Sequence, residues 1–391
     1  MKILFVIDRY EPSRGGAESY LHDLAAALGE RGHHVSVAAI TAETDPVVTP
    51  IRLSIASRPR LVREFRLAQA PGRLMAEGAF DVVVAFRHAF DADLFQPHGG
   101  LHIESLKGAV RPFAASGLMV AFLLFRKLLS PKNILFLAAD RWLLRRAGRP
   151  PAVAALSRLS ARAFPAGVPV TVIPNGVDRR RFHPGLRAVH REGLLAAESI
   201  PAASRTGLFC GHNFALKGLE QALRGMAVFV SGGGDMVLLV VGRGRQEKYR
   251  RLAGRLGIAS RVRFLGERRD LDRLYGASDV LLHPTFYDPC SLVVVEALGA
   301  GVPVVTTRFN GAAELMTDGR EGFVLRDPRD SRAISRALGE ILGPDWETFR
   351  RNAARLGEEQ DFSRHADKME KLLAACAGKR NSAAKGDSAG K

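Results

Sequence analysis

The sequence predicts an α/β protein with two doubly wound domains, each a parallel sheet covered by helices. Residues Lys2 to Ile7, a helical pattern ending near Arg31, and Val35 to Ile40 read as a strand, a helix and a strand. A second alternation of this kind starts near Gly207. The length of 391 residues suffices for two or three domains, each with its own core. In such sheets ligands collect where the strands end.

The first domain opens with a buried strand and a loop that ends in glycines. Lys2 to Ile7 is almost entirely apolar, and the run is too short for a secretory signal peptide. Gly15 and Gly16 close the loop that starts at Asp8, and a helix is predicted from Ala17. Glycines there would let a diphosphate approach the backbone closely, although two glycines in a loop are also common without a ligand.

A histidine follows the strand predicted at Asp81 to Phe86. His98 precedes two glycines, and its position after a strand makes it a candidate catalytic residue. A single histidine is also often structural, so the sequence leaves both interpretations of His98 open.

The segment 105–162 is basic and partly apolar. It holds eleven Lys or Arg residues, and Asp140 is its one acidic residue. Gly117 to Phe125 is an unbroken run of nine apolar residues, far short of the roughly twenty that span a bilayer. Two helices with basic edges suit an anionic membrane surface, but they could equally be core-facing helices with solvated basic faces. Trp142 and Phe125 favour the membrane interpretation.

In the second domain a cation follows a buried strand. The strand near Gly207 to Gly211 leads into a turn with Lys217, which could neutralise a diphosphate as a point charge or be a solvated lysine at a helix start. A further short strand covers Val262 to Leu265 and ends at Gly266.

The stretch from His283 to Thr307 carries the strongest local pattern. The strand Val280 to Leu282 ends in a polar loop, and Leu292 to Val295 follows. Its β-branched residues alone would suit a strand, but Ser291 is a good N-cap and two glycines follow Leu298, so we predict a helix.

That helix would begin beside the end of a strand. Its first amide groups, from Cys290, Ser291 and Leu292 onward, would form an anion site suited to a phosphate. Asp288 and Glu296 cannot bind a phosphate, but carboxylates accept hydrogen bonds from hydroxyl groups, as on a ribose or a sugar ring.

With two acids eight positions apart and Gly-Ala-Gly-Val-Pro from Gly299 to Pro303, the stretch resembles the signature of the retaining nucleotide-sugar glycosyltransferases of family 4. Over roughly residues 1–375 the chain resembles their GT-B fold, in which two doubly wound domains face a cleft. Arg31 to Val35 and Lys217-Gly218 look most similar to bacterial lipopolysaccharide core glucosyltransferases. Asp288 departs from the usual family glutamate, although a carboxylate is kept.

The resemblance implies a role for each candidate. Asp288 and His98 would be catalytic, and Glu296 would hold the ribose. Leu265 and Gly266 would lie near the base. His212 stands where relatives commonly place an arginine that assists the lysine, which makes it a further candidate. The donor diphosphate would be bound by Gly15, Gly16, Lys217, Cys290, Ser291 and Leu292.

The implied reaction moves a hexose, with glucose favoured, from a nucleoside-diphosphate sugar to a glycan or lipid-linked saccharide such as lipopolysaccharide core. UDP is the favoured nucleotide. We expect an acceptor domain at 1–182, a donor domain at 183–358, a helix at 359–376 that crosses back, and a disordered tail at 377–391. We also expect a monomer on the inner face of the cytoplasmic membrane, bound through 105–162.

Composition limits the rival functions. A net charge of +17 implies acidic partners, but two Trp and five Tyr are few for nucleic-acid stacking, so we expect no nucleic-acid partner. Gly242 to Gly244 is only a fragment of a dinucleotide motif, which argues against a dehydrogenase, while a sugar-nucleotide epimerase of the same fold stays an alternative. The three cysteines form no ligand pattern, and Asp270 and Asp272 fit the first turn of a helix, so we expect no metal and no cofactor.

Overall fold

The computed structural model describes residues 1–12, 15–114, 116–145 and 150–389. Contacts divide the chain into two compact units. Unit 1 comprises Met1–Val110, Ala114–Pro174 and Ser363–Lys391, and unit 2 comprises Arg111–Phe113 and Asn175–Phe362. The boundary between the two units follows Pro174, whereas the predicted domain boundary follows residue 182. Residues from Asn175 onward already form hydrogen bonds within unit 2.

Unit 1 is built on a seven-stranded, fully parallel sheet of order β5-β3-β1-β6-β7-β8-β9. A separate pair of short strands, β2 and β4, also runs parallel. The strands are β1 Lys2–Val6, β2 Arg9–Tyr10, β3 His34–Ala39, β4 Thr41–Ala42, β5 Thr49–Arg52, β6 Val82–Ala85, β7 Leu94–Phe95, β8 Ala152–Ala155 and β9 Val170–Val172.

The helices of unit 1 are α1 Gly16–Glu30, α2 Arg60–Ala76, α3 His102–Val110, α4 Gly117–Leu128, α5 Pro131–Leu144 and α6 Arg158–Ala161. The apolar face of α1 packs inward through Leu21, Leu24 and Leu28, as its spacing predicts. In contrast, no residue of α4 is buried. The interpretation of α4 as a core-facing helix is therefore excluded. The predicted end of the following helix at Arg146 lies outside the described residues.

Unit 2 contains a six-stranded parallel sheet of order β12-β11-β10-β13-β14-β15. Its strands are β10 Thr206–Cys210, β11 Val237–Val241, β12 Val262–Gly266, β13 Val280–Leu282, β14 Val304–Thr307 and β15 Gly322–Leu325. Its helices are α7 Leu186–Ala197, α8 Phe214–Lys217, α9 Leu219–Ser231, α10 Gln246–Arg255, α11 Leu271–Ala277, α12 Leu292–Gly299, α13 Ser331–Ile341 and α14 Trp346–Glu359. Two parallel α/β domains were predicted, and both are confirmed.

Helix α7, which precedes β10, was not among the elements expected from the sequence. Asp279, which is fully buried, accepts hydrogen bonds from Arg187 at 3.0 Å and from Arg191 at 3.1 Å. These contacts hold α7 on unit 2. The anchoring partner lies far away in the chain, so a local sequence pattern does not reveal it.

A last helix, α15, runs from Phe362 to Ala389 and belongs to unit 1 from Ser363 onward. The structure differs here from the predicted disorder, since the backbone of 377–389 is helical; residues 390 and 391 lie outside the described residues. Extending an existing helix needs no new nucleus, and the alanines of this segment favour helix. Among the described residues, no helix is both long and apolar enough to cross a bilayer.

Candidate functional site

The central strands of unit 2 create a crevice at their carboxyl ends. Strand β10 pairs with β11 on one side and with β13 on the other, so the connections that leave β10 and β13 turn away in opposite directions. Ligands of doubly wound sheets bind at such a switch point. The loop that carries Lys217 follows β10, and the loop that carries Asp288 follows β13.

A glycine lets the two loops touch. Gly218 has φ of +82° and lies against the carbonyl oxygen of Pro284, where an added Cβ would stand 2.1 Å from that oxygen. The carbonyl of Leu216 accepts hydrogen bonds from the Thr285 hydroxyl at 3.0 Å and from the Phe286 amide at 2.9 Å. The end of α8 is thereby fixed against the loop after β13, which positions Lys217.

Lys217 and Asp288 form an ion pair between the two loops. Asp288 is buried and the lysine is mostly covered. Burial alone would raise the pKa of Asp288, but the charge of Lys217 and the nearby imidazole of His283 hold that pKa well below its ordinary value. The structure therefore brings together two of the predicted residues, a lysine and an ionised carboxylate.

The backbone around Asp288 is anchored on both sides. Its amide donates to the carbonyl of Phe309 at 2.9 Å, and its carbonyl accepts from the Gly311 amide at 2.8 Å. His283 is buried at the end of β13, with Nε2 3.2 Å from the Ser291 hydroxyl and 3.8 Å from the Asp288 carboxylate. Burial lowers the pKa of His283, so the ring is neutral near pH 7.

Helix α12 begins beside this pair, as predicted, although not for the predicted reason. Ser291 caps no amide of the helix with its side chain, which bonds His283 instead. The helix is held by the packing of Val294 and Val295, which are fully buried. Tertiary packing here overrides the strand preference of valine.

The amide groups at the start of α12 are only partly available. The Ser291 amide donates to Oδ1 of Asn310 at 3.2 Å, so it is occupied by the protein. Within the described parts of the chain, no protein acceptor takes the amides of Cys290, Leu292 or Val293. Those three donors and the positive end of the helix dipole suit an anion next to Lys217.

Glu296 lies half-buried on the second turn of α12, and a tyrosine holds its carboxylate. The hydroxyl of Tyr275 donates to Oε2 of Glu296 at 2.8 Å and lies 3.1 Å from the carbonyl of Val293. Burial, and then the nearby charge of Glu296, raise the pKa of Tyr275 well above its ordinary value. The tyrosine therefore stays protonated and orients the carboxylate for a hydroxyl ligand.

The remaining predicted residues of unit 2 lie at the same edge of the sheet. Leu265 and Gly266 end β12, and the Gly266 carbonyl accepts from the Gly242 amide at 2.7 Å. His212 follows β10 and lines a pocket of about 810 Å³ together with Phe214 and Tyr249. Lys217, Asp288 and Glu296 do not line that pocket. Burial and the charge of Arg243 lower the pKa of His212.

Gly15, Gly16 and His98 all belong to unit 1. Gly15 is the N-cap of α1, and Gly16 is the first residue of that helix. The ring of His98 stacks on Phe86 with a centroid distance of 5.0 Å and lies 4.3 Å from the ring of Tyr20. These contacts fix the orientation of the imidazole.

Sequence reasoning missed two residues that position the site. Tyr275 orients Glu296, and Asn310 links the start of α12 to β14 through the Thr306 hydroxyl at 3.1 Å. Neither stands in a recognisable local motif. Asp270 is the N-cap residue of α11 and pairs with Arg268 at 2.6 Å, and Asp272 lies in the first turn of that helix. In the described ranges, no trio of His, Cys, Asp or Glu side chains is grouped to hold a metal ion.

Two family models match the chain, one in each half. Residues 14–181 match the model described as Glycosyltransferase Family 4, and residues 204–343 match the model described as Glycosyl transferases group 1. The lipopolysaccharide glucosyltransferase WaaG of Escherichia coli K12 is 29% identical over 198 residues, which are 49% of this chain and 52% of WaaG. A D-inositol 3-phosphate glycosyltransferase of Corynebacterium urealyticum is 32% identical over 186 residues, covering 45% and 43% of the two chains. The chain spans about half the length of these curated relatives.

Solved structures agree on the fold. The crystal structure of WaaG, a glycosyltransferase involved in lipopolysaccharide biosynthesis, superposes with a TM-score of 0.79 at 23% identity over 95% of this chain and 99% of that one. Anabaena Alr3699/HepE in complex with UDP and glucose superposes with a TM-score of 0.68 at 20% identity, covering 96% and 99%. The two parallel α/β units and the family matches in both halves lead to one conclusion: the chain belongs to the family 4 glycosyltransferases with the GT-B fold.

Proposed function

We propose that the chain is a glycosyltransferase that uses a nucleoside-diphosphate sugar as donor and retains the anomeric configuration. The observation that carries this proposal is the grouping of a cation, a helix N-terminus and two carboxylates at the switch point of the unit 2 sheet. The cation is Lys217, and the carboxylates are Asp288 and Glu296. A diphosphate linked to hydroxylated rings on both sides matches this distribution of charge.

In the proposed donor complex the diphosphate lies between Lys217 and the amides at the start of α12. In the reaction the bond from C1 of the donor sugar to the diphosphate oxygen breaks, and C1 bonds to an acceptor hydroxyl on the same face. The hydroxyl proton leaves with the diphosphate. Negative charge grows on the leaving group, so a fixed cation and oriented amides stabilise the transition state more than the ground state.

The two carboxylates then have different tasks. Glu296, oriented by Tyr275, accepts hydrogen bonds from the ribose hydroxyls. Asp288 stays ionised because its pKa is depressed, and it can accept hydrogen bonds from the donor sugar when the diphosphate draws Lys217 away. His98, in unit 1, is proposed to contact the sugar through its fixed ring. Gly15 and Gly16 are proposed to approach the diphosphate through the backbone at the start of α1.

The finer specificity rests on the relatives. WaaG is named a lipopolysaccharide glucosyltransferase, and Alr3699/HepE was crystallised with UDP and glucose. We therefore favour glucose as the hexose, UDP as the nucleotide and a lipopolysaccharide-core saccharide as the acceptor. The inositol-phosphate relatives make a phosphorylated small acceptor the main rival.

A thermal-shift screen followed by a transfer assay tests this function. UDP should raise the melting temperature more than GDP, ADP or NAD, and UDP-glucose should label an extracted core saccharide in a mass-detected assay. Conversion of the donor sugar in the absence of acceptor would instead indicate the epimerase. Failure of every nucleoside diphosphate to bind would refute the proposal.

We further propose that the enzyme works on the inner face of the cytoplasmic membrane and rests on the lipid through α4. Leu118, Phe122, Phe125 and Leu129 recur at helical spacing on one stripe, and all four are exposed, Leu118 by 84%. Arg126 and Lys127 stand in the last turn of the same helix. An apolar stripe with basic neighbours fits the interface of an anionic bilayer.

Vesicle co-sedimentation tests the membrane proposal. The wild type should sediment with phosphatidylglycerol-rich vesicles and remain free with phosphatidylcholine vesicles. The double variant Phe122→Ser/Phe125→Ser should lose binding, whereas Val189→Ser, at an exposed apolar position on α7, should retain it. Equal binding of the wild type to both kinds of vesicle would contradict the proposal.

A further inference from the structure

Unit 1 has its own switch point, and a cluster of cations lies beside it. Strand β1 pairs with β3 on one side and with β6 on the other. Asp8 follows β1 and Arg87 follows β6, and their side chains pair at 3.2 Å. Ligand binding is therefore expected at this edge of unit 1 as well.

Three elements bring cations to this edge. Arg87 follows β6, Arg63 lies in the first turn of α2, and Lys132 is the second residue of α5. Both arginines bond the buried carboxylate of Glu64, Arg63 at 2.6 Å and Arg87 at 2.5 Å. Burial alone would raise the pKa of Glu64, but its bonds to the two arginines hold that pKa below its ordinary value, so Glu64 is ionised.

Lys132 has no such counter-ion. Across the described residues, no carboxylate lies within ion-pair distance of its ammonium group, which stands 4.9 Å from the centroid of the Phe136 ring. Burial lowers the pKa of Lys132. The charge of Glu64 acts against this shift, while the charges of Arg60, Arg87 and Arg63 add to it. Arg63, Arg87 and Lys132 thus share the two carboxylates Glu64 and Asp8, so positive charge exceeds negative charge at this edge.

Groups that suit hydroxyls border the cluster. The Nδ1 atom of His88 lies 2.6 Å from the buried carboxylate of Asp140, and the His88 ring stacks on Phe136 at 4.2 Å. The Nε2 atom of His102 lies 3.1 Å from Oδ1 of Asn133. An anionic group next to oriented imidazoles matches a charged substituent on a sugar ring.

We infer that Arg63, Arg87 and Lys132 form a subsite for a phosphate ester on the saccharide acceptor. The inference rests on the proposed glycosyl transfer and deepens it, because it gives the acceptor a charge. Arginine contributes fixed planar donors, and Lys132 contributes a point charge that lies beyond ion-pair distance of every carboxylate among the described residues. Loss of one charged hydrogen bond of this kind weakens binding by about tenfold or more.

The first test measures the binding of inorganic phosphate to the full chain. Binding is monitored by ³¹P NMR at constant ionic strength. Lys132→Met should raise the dissociation constant by about tenfold or more. Arg73→Ala removes an exposed charge from the far end of α2 and should leave it unchanged. If phosphate binding is lost in Lys217→Met and retained in Lys132→Met, the phosphate occupies the donor site and the inference fails. Equal phosphate binding by Lys132→Met and the wild type would overturn the inference, as would the absence of any phosphate binding.

The second test compares core saccharide before and after phosphatase treatment as acceptor. The wild type should prefer the phosphorylated form by about tenfold or more in kcat/KM, and Lys132→Met should lose that preference. Equal use of both forms by the wild type would refute the subsite. UDP binding is measured in parallel: if UDP does not bind, the proposed function fails, whereas failure of the phosphate preference with UDP binding intact counts against the subsite alone.

Discussion

Removing Lys217 should damage both stability and catalysis, and the two effects should separate in a double variant. In Lys217→Met the Asp288 carboxylate stays buried without its cation. Breaking a fully buried pair costs about 3–5 kcal/mol, and because the two side chains are 22% and 11% exposed we expect about 2–3 kcal/mol. For a unit of this size that lowers the melting temperature by about 5–10 °C.

Adding Asp288→Asn should recover most of that stability, because it removes the unpaired charge. It should not recover turnover. Loss of one preorganised group that stabilises a developing anion costs about 10²–10³ in kcat, and the double variant still lacks the cation that faces the leaving diphosphate. Lys217→Arg, which keeps a charge, is the matched control and should retain more activity than Lys217→Met.

The pH dependence gives an independent check. In the wild type the pKa of Asp288 is depressed, so its stabilising contribution is complete above the unfolded value of about 4 and is lost only as the pH falls below it. In Lys217→Met burial should raise the pKa of Asp288 instead, so the variant should regain stability as the pH falls from about 7 to 5. Urea unfolding at several pH values and steady-state kinetics measure both effects. A variant with unchanged kcat, or with the same pH profile as the wild type, would refute the reasoning.

Three further predictions concern other parts of the chain. Glu296→Ala should lower kcat/KM for the donor at least about tenfold, mainly through KM, whereas Tyr275→Phe should cost only a few-fold because the carboxylate remains; steady-state kinetics decides. Burial lowers the pKa of His365 to about 4, so the unfolded chain takes up a proton at higher pH than the folded protein does. The free energy of unfolding should therefore fall by about 2 kcal/mol between pH 7 and pH 5. Urea unfolding measures this fall, and His365→Gln should remove it. Burial raises the pKa of Cys210 and Cys290 to about 12 and of Cys376 to about 11, so a disulfide reagent at pH 8 should label all three thiols rapidly only after unfolding.

The sequence was most informative where apolar runs end at turn residues. The strand Val280–Leu282 was predicted with its observed bounds, and Lys2 to Ile7 was predicted one residue longer than β1. Both are central strands whose burial on two faces demands continuous apolar residues. Helix α12 was also predicted, but its cause is the burial of Val294 and Val295 rather than a capping bond from Ser291.

The sequence was least informative where function depends on pairs far apart in the chain. The partner of Asp288 is Lys217, and the partner of Glu296 is Tyr275. The first pair was expected only in the sense that both residues follow strands of one sheet, because register and loop geometry decide which side chains meet. The cations around Glu64 come from three separate elements and form no motif.

Calorimetric titration of UDP and UMP into the wild type and Lys217→Met tests most directly whether unit 2 binds a diphosphate at its switch point. The wild type should bind UDP at least about tenfold more tightly than UMP, and Lys217→Met should bind the two nucleotides nearly equally. Tight UDP binding with undiminished preference over UMP in Lys217→Met would contradict the account.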